Sequence, residues 1–101
     1  YDIFCYLKKD KKQIALTKNN NLSFLRKFNL PKIKERSKRN KNWKFLCNYK
    51  NSISNKKLNI NLYYKFSSKI PSSFNWYFLN KNNEFIPSFT KKIFKQVSHL
   101  Y

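Results

Sequence analysis

There is no glycine and no methionine in the 101 residues of this chain. Without glycine, no loop can bring bare backbone close to a phosphate, which excludes the glycine-rich nucleotide-binding loops as a class. Acids are nearly as scarce, with Asp2, Asp10, Glu35 and Glu84 the only four. They are scattered and mostly embedded among lysines that hold them ionised, so paired carboxylates for general acid–base work are not on offer. His99 is the single histidine and has no cysteine or acid within four residues. Cys5 and Cys47 stand 42 positions apart with no Cys-x-x-Cys pair, which excludes a structural zinc site within the chain and leaves two reduced, small apolar residues. The expectation is a protein that is not an enzyme, with no metal, no cofactor and no small-molecule substrate. Long apolar runs are also missing: none approaches the roughly 20 residues that a spanning helix needs. The apolar stretch from Tyr1 to Leu7 is too short for a secretory signal, and Lys8, Lys9, Lys11 and Lys12 follow it instead of preceding it.

What the chain has in abundance is positive charge. Lysine and arginine number 23, for a formal net charge of +19. Self-repulsion on that scale opposes a compact free monomer and calls for a polyanionic partner. Nucleic acid fits best, because each neutralised phosphate releases a condensed counterion and adds affinity that needs no particular sequence. An anionic membrane fits less well, since the charges run the length of the chain instead of flanking an anchor. Lys, Asn, Phe, Tyr and Ile, whose codons are rich in A and T, fill 60 of the 101 positions, whereas Gly, Ala and Pro together fill four. That bias points to an AT-rich organelle genome and makes a ribosomal protein the leading expectation. The expected location is the ribosome of the mitochondrial matrix, with a plastid-type organelle as the alternative. Codon drift also accounts for the excess of lysine over arginine, which is not to be read as a choice of chemistry. Two other readings stay open: a different organellar ribosomal protein, and a basic subunit of a membrane-associated organellar complex.

Along the chain, residues 1–31 read as an N-terminal arm that docks onto something larger, followed by a short helix in which Leu22, Leu25 and Phe28 fall at helical spacing. Residues 32–69 read as a basic helical region. Trp43, Leu46, Cys47 and Lys50 share one helical face, while Lys32, Lys34, Arg36, Lys38, Arg39, Lys41 and Lys44 face a single local acid, Glu35. Cations without ion-pair partners point to phosphate contact. In Leu58, Ile60, Leu62, Tyr64 and Phe66 the alternation fits a half-buried strand, yet the spacing of Leu58, Leu62 and Phe66 also fits a helix. Residues 70–89, with two prolines and the serine pair Ser72-Ser73, read as an irregular linker that touches RNA, where Trp76 and Tyr77 are the candidates for stacking on unpaired bases. Residues 90–101 read as a helix capped by Thr90, with Phe89, Ile93, Val97 and Leu100 in one apolar stripe and Lys91, Lys92 and Lys95 on the flanks for the RNA backbone.

The segment Phe89-Thr90-Lys91-Lys92-Ile93-Phe94-Lys95-Gln96-Val97-Ser98 resembles the L-S-R-x-x-F-R-E-x-A signature of the small-subunit ribosomal protein fourteen family. Upstream, Pro71-Ser72 and Asn75-Trp76-Tyr77-Phe78-Leu79-Asn80 resemble that family's P-T-R-x-x-N-R-C-x-x-T-G-R, with one residue deleted. The resemblance implies a zinc-free member in the head of the small ribosomal subunit, wedged between rRNA and neighbouring small-subunit proteins. It also implies a helix at residues 58–66. The fold class expected on this basis is mainly α and extended, several short helices joined by an irregular linker with little independent core, so that the isolated chain is largely disordered.

Overall fold

The composition pulls both ways: lysine and leucine form helices well, whereas Phe, Tyr and Ile, which suit a pleated surface, supply a quarter of the chain, and tertiary packing decides for strands. The computed structural model describes residues 1–18, 30–34, 42–53, 55–79 and 87–101. Six strands run through these segments: β1 Asp2–Lys8, β2 Gln13–Leu16, β3 Lys32–Lys34, β4 Lys44–Ile53, β5 Lys56–Phe66 and β6 Asn75–Phe78. One helix follows, α1 Ser88–Val97, extended by a 3-10 turn at Ser98–Leu100.

The strands form one mixed sheet in the order β4-β5-β1-β2-β6, with β3 also paired to β1. β1 lies at its centre. Along one edge it pairs in parallel with β5, from Asp2 opposite Asn61 to Leu7 opposite Phe66. Along the other edge its first half takes β3 and its last two residues take β2, both antiparallel. β4 and β5 form the long hairpin, and β6 closes the far edge on β2.

Period-two alternation sorts the side chains between two faces. Ile3, Cys5 and Leu7 of β1, Leu58, Ile60 and Leu62 of β5, and Ile14 and Leu16 of β2 point to one side and are buried. On that side α1 lays down Phe89, Ile93, Phe94 and Val97, completing a continuous apolar core. A bulge in β4 between Phe45 and Cys47 inserts an extra residue. Leu46 and Cys47 therefore both pack against the core, while Phe45 and Asn48 both turn to the other face. Across the interface Lys92 Nζ donates to Asn51 Oδ1 at 2.9 Å, and the Cys47 thiol donates to Gln96 Oε1 at 3.8 Å.

The expected mainly-α, extended fold is corrected by this architecture, as is the expectation of little independent core. The radius of gyration is 12.7 Å, the value of a folded chain of this length and well below that of an open one. Residues 58–66 are strand: Leu58, Ile60 and Leu62 are buried and Asn59 between them is exposed, the pattern of alternation and not of a four-residue repeat. Trp43, Leu46, Cys47 and Lys50 lie at the start of and along β4 and share no helical face. Tyr1 to Leu7 docks, but onto its own chain as the central strand. Asn75–Phe78 of the expected linker is a strand as well. The last helix begins at Ser88 with Pro87 at its N-cap, and Thr90 is a buried residue inside it, not the cap. The helix expected around Leu22 to Phe28 and the basic stretch from Arg36 to Lys41 lie outside the described residues.

The core holds two groups that dislike charge. Burial holds the Cys5 thiol far above its ordinary value of 9.0, with a smaller push from Cys47, and burial also raises the Tyr49 hydroxyl above 10.0. The unfolded chain gives up these protons just above pH 9, whereas the folded chain keeps them. Their contribution is thus whole below about pH 9 and is lost as pH rises, by on the order of 1.4 kcal/mol per unit for each group. The fall of the urea midpoint between about pH 9 and pH 11 should be smaller in Cys5→Ala than in the parent chain; equal profiles would mean that the Cys5 thiol is not buried. The Tyr49 hydroxyl is also buried without a hydrogen-bond partner among the described residues. Tyr49→Phe should leave thermal stability equal or raise it by about 1 kcal/mol. A loss of that size would reveal a partner for the hydroxyl.

Candidate nucleic-acid interface

The face of the sheet turned away from α1 is built by the same alternation. β1 contributes Phe4, Tyr6 and Lys8, and β5 contributes Tyr63 and Lys65 in register beside them. Phe45 of β4 lies opposite Tyr63, Tyr63 opposite Phe4, and Phe4 opposite Lys32 of β3. A single row across four strands therefore runs Phe45-Tyr63-Phe4-Lys32. A second row runs Lys8-Gln13-Phe78 across β1, β2 and β6, with Trp76 beside it opposite Ala15.

Ring contacts join the first row to its surroundings. Phe4 stacks on Tyr63 at 5.3 Å between centroids with an interplanar angle of 18°. Edge-on contacts then link Phe45 to Tyr63 at 5.5 Å, Phe4 to Trp43 at 5.1 Å, Trp43 to Tyr6 at 4.9 Å and Tyr6 to Phe74 at 5.9 Å. The preferred edge-to-face geometry fixes each ring through its neighbours. Phe4 lies at the bottom of this network, only 6% exposed, while Phe45 and Phe78 are 56% and 38% exposed. The tops of rings are thus presented outward from a rigid base. Among the described residues no helix crosses this face.

Cations sit among the rings. Lys65 Nζ lies 5.7 Å from the Trp43 ring centroid and Lys8 Nζ lies 5.0 Å from that of Trp76. Lys50 and Lys57 share the face by register, opposite Asn59 and Ser52. One described acid, Asp2, belongs to it, and its carboxylate accepts from Asn61 Nδ2 at 3.0 Å. Asn61 in turn accepts from Asn48 Nδ2 at 2.8 Å, so an Asn48-Asn61-Asp2 chain forms a polar border to the aromatic area. Gln13, in the second row, is 8% exposed and its Oε1 has no partner among the described residues. At the β1–β2 turn, Lys8, Lys9 and Lys11 line a cavity of about 360 Å³ together with Asp10, Phe66, Ser67 and Ser68.

The residues expected from sequence to meet RNA fall on different sides of this fold. Lys32 lies on the aromatic face, half-buried opposite Phe4, and Lys34 is the register partner of Asp2. Trp76 is on that face too. Tyr77, its neighbour in β6, points the other way and packs against the core, as alternation requires. Lys44 is exposed at the start of β4. Lys91, Lys92 and Lys95 are exposed on α1, on the opposite side of the molecule. Arg36, Lys38, Arg39 and Lys41 lie outside the described residues. Sequence reasoning overlooked Phe4, Tyr6, Trp43, Phe45, Tyr63 and Phe78. The signal that could have found them was the aromatic character of the second phase of alternation in β1 and β5. Among the described residues no group of histidine, cysteine and acid side chains could hold a metal ion. Comparison of the chain with protein-family models, curated proteins and solved structures finds no match.

Proposed function

We propose that this protein is a structural RNA-binding constituent of an organellar ribosome, acting as a scaffold without turnover. The observation that carries the reading is the placement of cations on both sides of a two-layer fold. Lys8, Lys32, Lys50, Lys57 and Lys65 lie on the open sheet face, and Lys91 and Lys95 on the outer side of the helix layer, whereas Lys92 reaches back to Asn51 of the sheet. A planar anionic membrane meets one side of a protein, whereas folded RNA can meet both. With a net charge of +19 and four acids in the whole chain, intramolecular pairing leaves most of these cations for a polyanion. No helix of the described residues is long and apolar enough to cross a membrane.

The partners in this reading are rRNA and neighbouring ribosomal proteins, and the location is the mitochondrion, with a plastid-type organelle as the alternative. Placement in the head of the small subunit draws its support from the resemblance of Phe89–Ser98 to the protein fourteen signature. That resemblance bears on α1, since the helical architecture it implies upstream is not that of this chain. The test is sedimentation of native organelle extract in moderate salt. The protein should travel with ribosomal subunits, be released by RNase and resist detergent. Sedimentation free of ribosomal particles would overturn the proposal, and release by detergent alone would favour the membrane-associated complex.

A further inference from the structure

We infer that the open face of the sheet binds unpaired nucleotides by stacking their bases on Phe45, Phe78 and the Trp76 and Tyr63 rings, with Lys8, Lys32 and Lys65 holding the phosphates between them. This inference rests on the RNA-binding reading above and specifies the form of RNA that one surface takes. A duplex offers phosphates but keeps its bases stacked on each other, so it has no use for exposed rings. Single strands have free base faces, and each base stacked on an aromatic side chain adds affinity largely independent of its identity.

Three observations point to this occupant. The first is chemical: the face carries rings with ammonium groups beside them, Lys8 by Trp76, Lys65 by Trp43 and Lys32 opposite Phe4, which suits the bases and phosphates of a single strand. The second is geometric. Phe45 and Phe78 stand at opposite margins of the sheet, on β4 and on β6, and between them lie Tyr63, Phe4, Tyr6 and Trp43 in one connected ring network. Phe45 and Tyr63 therefore do not need to be ordered on binding, because ring contacts within the network have already fixed them. The third is electrostatic. Asp2 is the one described acid on the face, and it lies in the bordering row with Asn61 and not among the rings. An apolar protein partner would gain from the rings but would bury the lysines without compensation.

The experiment uses the whole chain, an unstructured single-stranded RNA of mixed sequence and a duplex of the same length, in equal salt. Binding is read by anisotropy of labelled RNA and by the intrinsic fluorescence of Trp43 and Trp76. Single strands should bind more tightly than duplex and quench the tryptophan emission. Phe45→Ala and Phe78→Ala each should weaken single-strand binding by about tenfold and leave duplex binding unchanged, in keeping with the loss of one stacked base. Both side chains are well exposed, and an unaltered thermal midpoint confirms that the variants keep the fold. A single Phe45→Tyr variant, which retains a ring, should restore affinity. Equal binding of the two RNAs with no effect of any variant would overturn the stacking inference and leave RNA binding itself standing. Binding of neither RNA would overturn both. Binding of anionic lipid vesicles that is lost in Phe45→Ala, with RNA binding unaffected, would overturn the inference in favour of a membrane.

Discussion

Raising monovalent salt from about 50 to 200 mM should weaken RNA binding by on the order of a thousandfold. The expectation follows from counterion release. Five lysines on the sheet face and two, Lys91 and Lys95, on α1 are placed to meet phosphates on two sides, and each phosphate they neutralise sets one counterion free. Affinity then falls as a steep power of salt concentration, with an exponent near the number of phosphates neutralised. Replacing either Lys50 or Lys57 by glutamine should lower the exponent by about one, because one fewer phosphate is then neutralised. Replacing Phe45 or Phe78 by alanine should lower affinity at every salt concentration and leave the exponent unchanged, because stacking releases no ions. A salt dependence with an exponent near one would show that charge is not the main source of affinity.

Ile60→Ala should destabilise the fold by about 2–5 kcal/mol, enough to unfold much of a domain of ordinary stability. Ile60 is fully buried in β5, opposite Tyr49 of β4, and lies in the apolar layer that α1 covers. Phe66→Ala is the natural control. Phe66 is 37% exposed at the end of the strand, where its ring meets Tyr64 and Tyr101 edge-on at 5.8 and 6.0 Å. Its removal should cost about 1 kcal/mol. The pair separates strand from helix, since a helix would align Leu58, Leu62 and Phe66 and leave Ile60 on another side. Thermal unfolding in which Phe66→Ala is the more damaging change would contradict the sheet.

The alternation in residues 58–66 was legible in the sequence, and so was its conflict with four-residue spacing. What could not be read was which neighbours would receive the side chains. Ile60 settles it: as a strand residue it joins Ile3 and Leu62 in one layer, a long-range pairing across more than fifty residues that no local window contains. The apolar stripe of α1 was readable for the opposite reason. Phe89, Ile93, Val97 and Leu100 recur at steps of four, four and three, and the last, odd step does not fit the period of a strand, so local pattern and tertiary packing agree there. At Lys32–Lys34 high charge hid the strand, because lysine at alternate positions reads equally as one flank of a helix, and at Lys44–Ile53 the helical spacing of Trp43, Leu46, Cys47 and Lys50 hid it.

For the candidate site, Trp76 and Lys32 were identifiable as isolated residues, but their company was not. Phe4 and Tyr6 sit in an apolar run that reads as buried on both faces, and only the central position of β1 shows that its second face is covered by rings and not by α1. Tyr77 illustrates the converse. Adjacent to Trp76 in sequence, it faces the core, because one step along a strand reverses the side chain. The bulge in β4 is similarly silent in the sequence, and it alone turns Phe45 toward Tyr63.

Where RNA touches the chain in its native particle decides most directly whether the open sheet face is the binding surface. Ultraviolet cross-linking of intact particles, followed by mass spectrometry of the nucleotide-bearing peptides, makes that measurement. Adducts should concentrate on Trp43, Phe45, Tyr63, Trp76 and Phe78, the rings of the open sheet face, with Tyr49 and Tyr77 on the core side unmodified. Cross-links confined to α1, or an open face joined only to protein neighbours, would contradict it.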